Sequence, residues 1–430
     1  MRENMNKKLN AVNHTFRALR HRNYRLFFMG QGISLIGTWM QLIALNWLVY
    51  RISNSVFLLG IVGFASRIPA LLFAPFAGVL ADKWNRQRLL IFVQSLAMAQ
   101  AFVLAFLVLT GKITILLLLL LGLFLGCINA VDIPVRQSFV TDMLEREEDL
   151  GNAIALNSSL VNGARLLGPS IAGILIATVG EGMCFFINGL SYIAVIAALF
   201  AMRIVFRPRV AERSHFIENL KEGFSYTFGF APLRNILLLL SLVSLFGMPY
   251  VTLMPVFARD ILHGGPHTFG FLMGATGVGA LMGALYLASR KTVAGLGLVI
   301  AIAAGIFGIG LITFSVSRAL WLSILLMALT GFGMMVQMAA SNTVLQTVAA
   351  DGMRGRVMGY YTVAFVGMTP LGSLLSGWLA SWLGVQSTVF ISGVCCVLGA
   401  SVFTYGLPGL CEMVRLIYEG KGIELKGKTL

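Results

Sequence analysis

The segment Gly78–Arg88 reads GVLADKWNRQR and stands between two long apolar runs. It combines a glycine with an acidic residue, Asp82, that can cap a helix or pair with an arginine. Asn85 tolerates the left-handed backbone that a tight turn needs. The segment therefore predicts a short charged turn that joins two helices, and the apolar runs around it indicate what kind of helices these are.

Composition points to a membrane. Of the 430 residues, 58% are hydrophobic and only 11% are charged, whereas a soluble domain has roughly 25% charged residues. Many apolar runs have about 20 residues, the length that a helix needs to cross a hydrocarbon core of about 30 Å. An ordinary water-soluble fold is thereby excluded, and the chain is predicted to be an all-α membrane protein.

Apolar length and turn residues predict twelve transmembrane helices. They lie near residues 25–50, 56–81, 89–109, 113–134, 152–178, 183–205, 234–258, 268–289, 293–316, 319–341, 356–381 and 386–407. With the N-terminus inside, Arg51, Lys112, Arg259 and Arg318 are the basic residues of the outer loops, and nearly all others are cytoplasmic. This asymmetry predicts that both termini are cytoplasmic. It also accounts for the net charge of +15, so no nucleic-acid partner is expected.

The longest internal loop divides the spans six and six. The predicted domains are an N-terminal arm (1–24), a six-helix bundle (25–205), a cytoplasmic linker (206–233), a second six-helix bundle (234–407) and a C-terminal tail (408–430). A weak repeat supports the division, because Gly151, Gly173 and Gly180 recur at one constant spacing as Gly355, Gly377 and Gly384. A duplicated six-helix unit is a common plan of transporters.

The segment Gly78–Arg88 resembles the signature loop of the major facilitator superfamily, Gly-x-Leu-Ala-Asp-Arg/Lys-x-Gly-Arg-Arg/Lys. It matches at Gly78, Leu80, Ala81, Asp82, Lys83 and Arg86 and departs at Asn85 and Gln87. The resemblance covers the whole chain. It implies the major facilitator fold, in which twelve helices form two pseudo-symmetric six-helix bundles.

In that family the loop braces the two halves in the outward-facing state. The resemblance implies a cytoplasmic gate network of Gly78, Asp82 and Arg86 with Asp132 and Arg136 at the inner end of the fourth span. An ordinary interfacial ion pair is the alternative for Asp132 and Arg136, and exposed pairs contribute little to stability.

The fifth span carries a second resemblance. It resembles the Gly-x-x-x-Gly-Pro-x-x-Gly-Gly pattern of superfamily drug exporters and matches it at Gly168, Pro169 and Gly173. In this chain, Ala164 and Ala172 replace the other two glycines of the pattern. Pro169 removes an intrahelical hydrogen bond and Gly168 admits a close neighbour, so the helix can bend. A plain packing kink is the alternative. The motif favours export, and the sequence looks closest to the branch with the enterobactin exporter and macrolide-efflux-like proteins.

Polar residues inside spans are the candidate substrate ligands. Gln31, Ser34, Thr38 and Gln41 share one face of the first span, where they face either a cavity or other helices. Arg67 and Arg165 lie near mid-span, at a cost of at least about 2.5 to 3.5 kcal/mol each. No acidic residue lies at comparable depth, which favours an anionic substrate such as a carboxylate-rich siderophore.

The roles of Arg165, of two tyrosines and of the proton site each leave an alternative open. Arg165 could instead bond backbone carbonyls around the bend at Pro169. Tyr250 and Tyr361 could stack on a ligand, although aromatic residues more often pack or anchor at the membrane interface. Proton coupling is implied by the family resemblance alone, because the acidic residues are read in loops or at span ends, with Asp132 and Asp260 the nearest candidates. For Asp260, a local ion pair with Arg259 is the expected role.

The sequence thus predicts a secondary active efflux transporter of the bacterial inner membrane. It exports a small anionic or amphipathic molecule, a siderophore or a drug, by alternating access. The expected partners are that substrate, membrane lipid and protons, and the chain is expected to be a monomer with no metal or cofactor. Alternatives are a lysophospholipid flippase of the same fold and a non-transporting membrane sensor. An enzyme is not expected, since no catalytic metal or nucleophile motif is present.

Overall fold

The computed structural model of the protein describes residues 17–73, 84–204, 216–290, 292–350 and 352–420. Within these ranges twelve helices are long and apolar enough to cross a membrane, which confirms the predicted all-α fold. They are α1 (Arg22–Ser53), α2 (Val56–Phe73), α3 (Arg86–Leu109), α4 (Ile115–Asp142), α5 (Leu150–Val179), α6 (Glu181–Ala201), α7 (Ala231–Ile261), α8 (Pro266–Ser289), α9 (Leu296–Val316), α10 (Leu320–Val348), α11 (Arg354–Leu383) and α12 (Val385–Gly409). The predicted gate residues Gly78 and Asp82 lie outside the described ranges.

Two helices extend well past their predicted ends. α4 continues to Asp142 instead of ending at residue 134, and α10 continues to Val348 instead of residue 341. The apolar pattern stops at Pro134 because polar residues follow it. A helix, however, needs only its own backbone hydrogen bonds, and these continue after the side chains become polar. The helix that contains α12 likewise runs on through Pro408 to Gly420, into the predicted tail.

The repeated glycines Gly180 and Gly384 occupy equivalent places in the chain. Gly180 ends α5 with a φ of 84°, and Gly384 ends α11 with a φ of 80°. This positive φ is strained for residues with a side chain and easy for glycine. The two halves of the chain therefore use the same device to turn from the fifth helix into the sixth.

By its contacts the chain divides into two compact units. The first unit contains Met1–Leu45 and Ile68–Ala211. In it, α3 packs against both α4 and α6, and α5 packs against α6. Tyr24 and Phe139 are fully buried in its apolar core, and the Tyr24 hydroxyl donates to the carbonyl of Ala153 over 2.7 Å.

The second unit contains Asn46–Arg67 and Glu212–Leu430. In it, α9 packs against α10 and α12, α8 against α10, and α2 against α11. The contact between α8 and α10 is especially close, because a Cβ on Gly279 would overlap the carbonyl of Ala328, and one on Gly331 would overlap the carbonyl of Thr276. The predicted boundary between two six-helix bundles stays a prediction.

A helix at Phe216–Gly229, the connecting helix, lies within the predicted linker. Phe224 and Phe228 stack at 4.5 Å, and both rings meet the edge or face of Tyr360 on α11. Glu222 pairs with Arg356 at 2.6 Å. Part of the predicted linker is therefore docked on the first turns of α11.

Prolines reshape α7 within the second unit. Pro249 has no N–H, so the Leu245 carbonyl one turn earlier lacks its usual helical donor. Just before it, the helix widens at Val243–Gly247, where the Met248 N–H reaches the Val243 carbonyl over 3.0 Å. The Leu245 carbonyl instead lies against Gly372 on α11. α11 has a matching wide turn, Val363–Gly367, before Pro370.

The contact between α8 and α10 predicts the effect of adding one methyl group. We expect Gly279→Ala to lower the melting temperature of the purified protein, since a Cβ at this position meets backbone atoms and overpacking costs about 1–3 kcal/mol. Gly305→Ala is the control, because no atom lies within 4 Å of a Cβ placed there. Differential scanning fluorimetry in detergent checks this, and equal melting temperatures for the two variants would contradict it.

Candidate functional site

The polar face of α1 is buried. Gln31, Ser34 and Gln41 are 1–3% exposed. The Gln41 amide donates to Gln100 Oε1 on α3 over 3.0 Å, and Asn188 on α6 donates to Gln41 Oε1 over 2.6 Å. Gln41 therefore joins three helices of the first unit, as the helix-bonding alternative describes.

The other members of this face differ from Gln41. The partly exposed Thr38 donates to the carbonyl of Ser34 one turn earlier, over 2.9 Å. Gln31 keeps a buried Oε1 that has no hydrogen-bond partner within the described ranges. The substrate role of this face stays a prediction. Gln31 has an unmatched acceptor atom and Thr38 is partly exposed, so these two members have atoms available to a ligand.

Arg165 lies against the first helix. Its guanidinium stands over the ring of Trp39 at 5.1 Å, a favourable cation–π geometry. Gly168 permits this approach of α1 and α5, because a Cβ there would lie 3.0 Å from the carbonyl of Ile36. The helix α5 continues through Pro169 and the buried Gly173. The proline motif thus packs α5 against the face of α1 that carries Ile36 and Trp39.

Arg67 lies at a break in α2. The regular helix ends at Ala65, because Pro69 cannot donate to the Ala65 carbonyl and its ring crowds that group. The Arg67 guanidinium is partly exposed and donates to the carbonyl of Gly63 over 3.2 Å. No acidic side chain contacts it in the part of the chain that the structure describes.

The two tyrosines have different surroundings. Tyr250 is 3% exposed and meets the ring of Phe307 edge-on, as expected for a packing residue. Tyr361 is partly exposed, stacks with Phe365, and bonds to Asn342 on α10. Ligand stacking stays a prediction for both, with Tyr361 the more accessible ring.

The charged gate residues separate into two clusters within the first unit. Arg86, at the start of α3, pairs with Asp142 at the end of α4 over 3.0 Å. Asp132 accepts a hydrogen bond from Gln94 over 2.6 Å and lies 3.4 Å from Arg136. Sequence reasoning missed Asp142, because that residue falls eight positions after the predicted end of the fourth span. The described acidic partner of Arg86 is thus Asp142 and not Asp132.

Polar contacts in the second unit join the end of α1 to the end of α7. The Tyr50 hydroxyl donates to Asp260, and Arg259 donates to Asn54 over 2.8 Å. The Arg259 guanidinium also stands over the Tyr50 ring at 5.6 Å. The expected local pair of Arg259 with Asp260 is loose, at 4.0 Å. Asp260 therefore bonds mainly to a residue more than 200 positions away.

Two glycines bring α2 and α11 into backbone contact in the same unit. A Cβ on Gly60 would lie 2.9 Å from the Cα of Gly377, and one on Gly377 would lie 2.8 Å from the Cα of Gly60. Each glycine thus occupies the space where the other would place a side chain. No residue other than glycine fits either position without separating the helices.

Near the start of α5, His21 and Arg17 both contact Asp149, which precedes that helix. His21 Nδ1 accepts from the backbone N–H of Glu145 over 3.2 Å, so in this geometry Nε2 carries the proton and donates to Asp149 over 2.7 Å. The His21 hydrogen bond, aided by the charge of Arg17, lowers the pKa of Asp149 below its ordinary value.

Twelve spans, glycine-mediated helix contacts and buried intramembrane polar groups define the class as a polytopic membrane transporter. The sequence profile of the transmembrane secretion effector family matches residues 13–412. The chain belongs to this family of the major facilitator superfamily, in its branch of siderophore and drug efflux transporters. The family and its relatives are transporters and not enzymes, as predicted.

Three curated relatives span nearly the whole chain. The staphyloferrin A transporter of Staphylococcus aureus is 27% identical over 89% of this chain and 95% of its own length. The multidrug efflux pump Tap of Mycobacterium tuberculosis is 25% identical, over 88% and 91%. The enterobactin exporter of Shigella boydii is 24% identical, over 87% and 89%. Together they place the chain among multi-pass bacterial membrane proteins.

Solved structures support the fold. A POT family transporter in complex with 5-aminolevulinic acid has a TM-score of 0.71 at 9% identity, covering 90% of this chain and 96% of that one. A bacterial homologue of the iron transporter ferroportin, in its inward-facing state, has a TM-score of 0.66 at 17% identity, covering 90% and 98%. At these identities the likeness concerns the fold alone.

The His21–Asp149 contact predicts a pH dependence of stability. Because the folded-state pKa of Asp149 is lowered, its stabilising contribution is present above the ordinary carboxyl pKa of about 4 and is lost as the pH falls below it. We expect Asp149→Asn to melt at a lower temperature than the parent at pH 7, with a difference that shrinks towards pH 3. Glu148→Gln, which changes a neighbouring exposed carboxylate, is the control. A difference between Asp149→Asn and the parent that is independent of pH would contradict the assignment.

Proposed function

We propose that this chain is a secondary active exporter that moves a small anionic molecule, a siderophore or an amphipathic drug, out of a bacterial cell. Similarity along nearly the whole chain to the staphyloferrin A transporter and the enterobactin exporter carries this proposal. The branch also contains a multidrug efflux pump. A siderophore binds ferric iron with oxygen ligands and commonly carries carboxylates, which fits a cationic site within the spans.

Arg67 is the proposed contact for the anionic group. A guanidinium has five N–H donors arranged to hold a carboxylate, and the described bond to Gly63 uses one of them. Arg67 Nη1 and the Ser373 hydroxyl both lie within 3.5 Å of the position that a Cβ on Gly63 would take. Ser373 is also 3.4 Å from the Thr252 hydroxyl. The guanidinium and the hydroxyls together form a proposed anion site.

The proposed transport mechanism is alternating access. On the side predicted to be outer, the contacts Tyr50–Asp260, Asn54–Arg259 and Gly60–Gly377 form an outer gate. On the inner side, the Arg86–Asp142 pair belongs to the gate that the signature loop builds. Opening and closing these contacts in turn would expose the substrate to each side of the membrane.

The remaining parts of the proposal concern surroundings and energy. Both termini face the cytoplasm, lipid surrounds the spans, the protein is a monomer, and no nucleic acid takes part. The asymmetry of basic residues between the predicted loops supports the orientation. Protons moving inward supply the energy, as the resemblance to the superfamily's exporters implies.

Replacing Arg67 tests the anion site. We expect Arg67→Gln to raise the KM for staphyloferrin A by about tenfold to a hundredfold, since a hydrogen bond to a charged group contributes about 1.5–3 kcal/mol. The assay is flux into inside-out proteoliposomes with an imposed pH gradient. Arg318→Gln, which removes the same charge from an exposed loop position, should leave the KM unchanged.

The same vesicles separate the substrate classes. Enterobactin, an uncharged drug and a lysophospholipid replace staphyloferrin A in parallel assays. Transport of the lysophospholipid alone would replace the proposed function by lipid flipping. An unchanged KM for Arg67→Gln with any transported anion would remove Arg67 from the site.

Replacing Gly60 tests the outer gate. We expect Gly60→Leu to hold the gate open, because the new side chain occupies the space of the α11 backbone. The reporter is Val56→Cys in a background without native cysteines. The thiol at position 56 should then react faster with a membrane-impermeant maleimide added outside, and transport should fall.

The matched control is Gly359→Leu on α11, where no atom lies within 4 Å of an added Cβ. Equal labelling at position 56 and equal transport in the two glycine variants would show that the contact between α2 and α11 does not close the outer side.

A further inference from the structure

The extension of α4 places a buried carboxylate well inside a helix of the first unit. Asp132 lies ten residues before the helix end at Asp142, or about 15 Å along the axis at the usual rise. It is 5% exposed. Among the acidic side chains of the described spans, the other buried one is Glu181, which is the first residue of α6. Asp132 therefore lies inside α4 and not at its end.

The hydrogen bonds of Asp132 leave one group unmatched. Gln94 Nε2 donates to Asp132 Oδ1 over 2.6 Å, whereas Gln94 Oε1 is buried without a hydrogen-bond partner in the described ranges. A buried acceptor without a donor costs about 1–3 kcal/mol. If Asp132 stayed charged at all times, the unmatched Oε1 of Gln94 would only lower the stability of the protein.

The amide of Gln94 suits both protonation states of the carboxyl group. When Asp132 is charged, the NH2 group of Gln94 donates to it, as observed. When Asp132 is neutral, its O–H can donate to Gln94 Oε1 after the amide turns over, which satisfies the atom that is otherwise without a partner. Gln94 therefore stabilises the buried group before and after a proton binds.

Arg136 is the basic residue that contacts Asp132 within the described ranges. Arg136, on the next turn of the same helix, makes one contact of 3.4 Å and is partly exposed to solvent. A single long contact of this kind offsets burial less than a bidentate pair does. Arg136 is thus a single and partly solvated partner of Asp132.

The groups that face Asp132 from neighbouring helices are polar and connected. Besides Gln94 on α3, Tyr192 on α6 lies near Asp132 and Arg136 and near Thr38 and Asn188. Asn188 continues through Gln41 to Gln100. Asp132 therefore lies in the same unit as a buried hydrogen-bonded set that includes Gln41 of the α1 face.

We propose that Asp132 is the proton-binding group that couples export to the proton gradient, with Gln94 as its positioning residue. This inference rests on the proposed function, of which it names the proton site. In each cycle one proton from outside converts the carboxylate to the neutral acid, and the same proton leaves to the cytoplasm. No covalent bond other than this O–H bond forms or breaks.

The test compares two transport modes in inside-out proteoliposomes, with staphyloferrin A as the probe. We expect Asp132→Asn to lose accumulation driven by a pH gradient while retaining exchange of labelled for unlabelled probe at equal pH. Asp132→Glu should restore the driven mode. Glu181→Gln, the matched change at the other buried carboxylate, should retain both modes. A purely structural role of Asp132 would instead reduce driven transport and exchange together.

A second measurement does not need a substrate. Infrared difference spectra of the purified protein between acid and alkaline pH should contain a protonated-carboxyl band that is absent from Asp132→Asn. Gln94→Met, which can neither donate to nor accept from the carboxyl group, should shift the pH at which this band appears. If Asp132→Asn does not fold, the shift in Gln94→Met provides the test in its place.

The outcomes separate the two levels of the proposal. If the parent protein accumulates the probe and Asp132→Asn does so equally, the Asp132 assignment is overturned and proton-driven export stands. If the parent accumulates neither staphyloferrin A nor enterobactin, the proposed function fails, and the infrared band then judges Asp132 independently. A band that is identical in the parent, Asp132→Asn and Gln94→Met overturns the assignment.

Discussion

No water is available inside a bilayer to hydrogen-bond a peptide group, so every backbone N–H and carbonyl of a span must find its partner within the protein. Helices meet this requirement, and two departures from regular helix in the described residues have a proline as their local cause. Pro69 ends the regular part of α2 and leaves Arg67 at the break. Pro249 leaves a carbonyl of α7 against Gly372 of the neighbouring helix. The proposed anion site at Arg67 thus lies where the regular hydrogen bonding of a helix is interrupted.

The same constraint acts on side chains. A polar group that is costly in lipid turns inward, and several such groups satisfy one another. Gln41, Gln100 and Asn188 do this across three helices. These contacts fix how the helices of the first unit pack, and they leave few polar atoms over. Gln31 and Gln94 are among the described residues that keep an unmatched buried atom, and they are the ones proposed as positions for a substrate or a proton.

Composition and periodicity predicted the helix count, the class and most span boundaries, because these depend on apolar length alone. They did not predict the end of α4, since the apolar pattern stops at Pro134 while the backbone ladder continues. This one difference hid Asp142 as the partner of Arg86. The bond of Tyr50 to Asp260 was equally hidden, because no local pattern links residues so far apart in sequence. The signature loop itself was recognised by its residue order, and Gly78 and Asp82 keep their predicted gate roles.

The backbone contact between Gly60 and Gly377 determines what sequence variation is expected at these two positions among relatives. Contacts are commonly inferred from pairs of positions that change together, because a larger residue on one side is compensated by a smaller one on the other. Here each residue is already the smallest available, and each lies in the space of the other's missing side chain. No compensating change exists, so both positions should stay glycine in relatives that keep this contact. A contact of this kind leaves no covariation signal, and its trace is the simultaneous absence of variation at two distant positions.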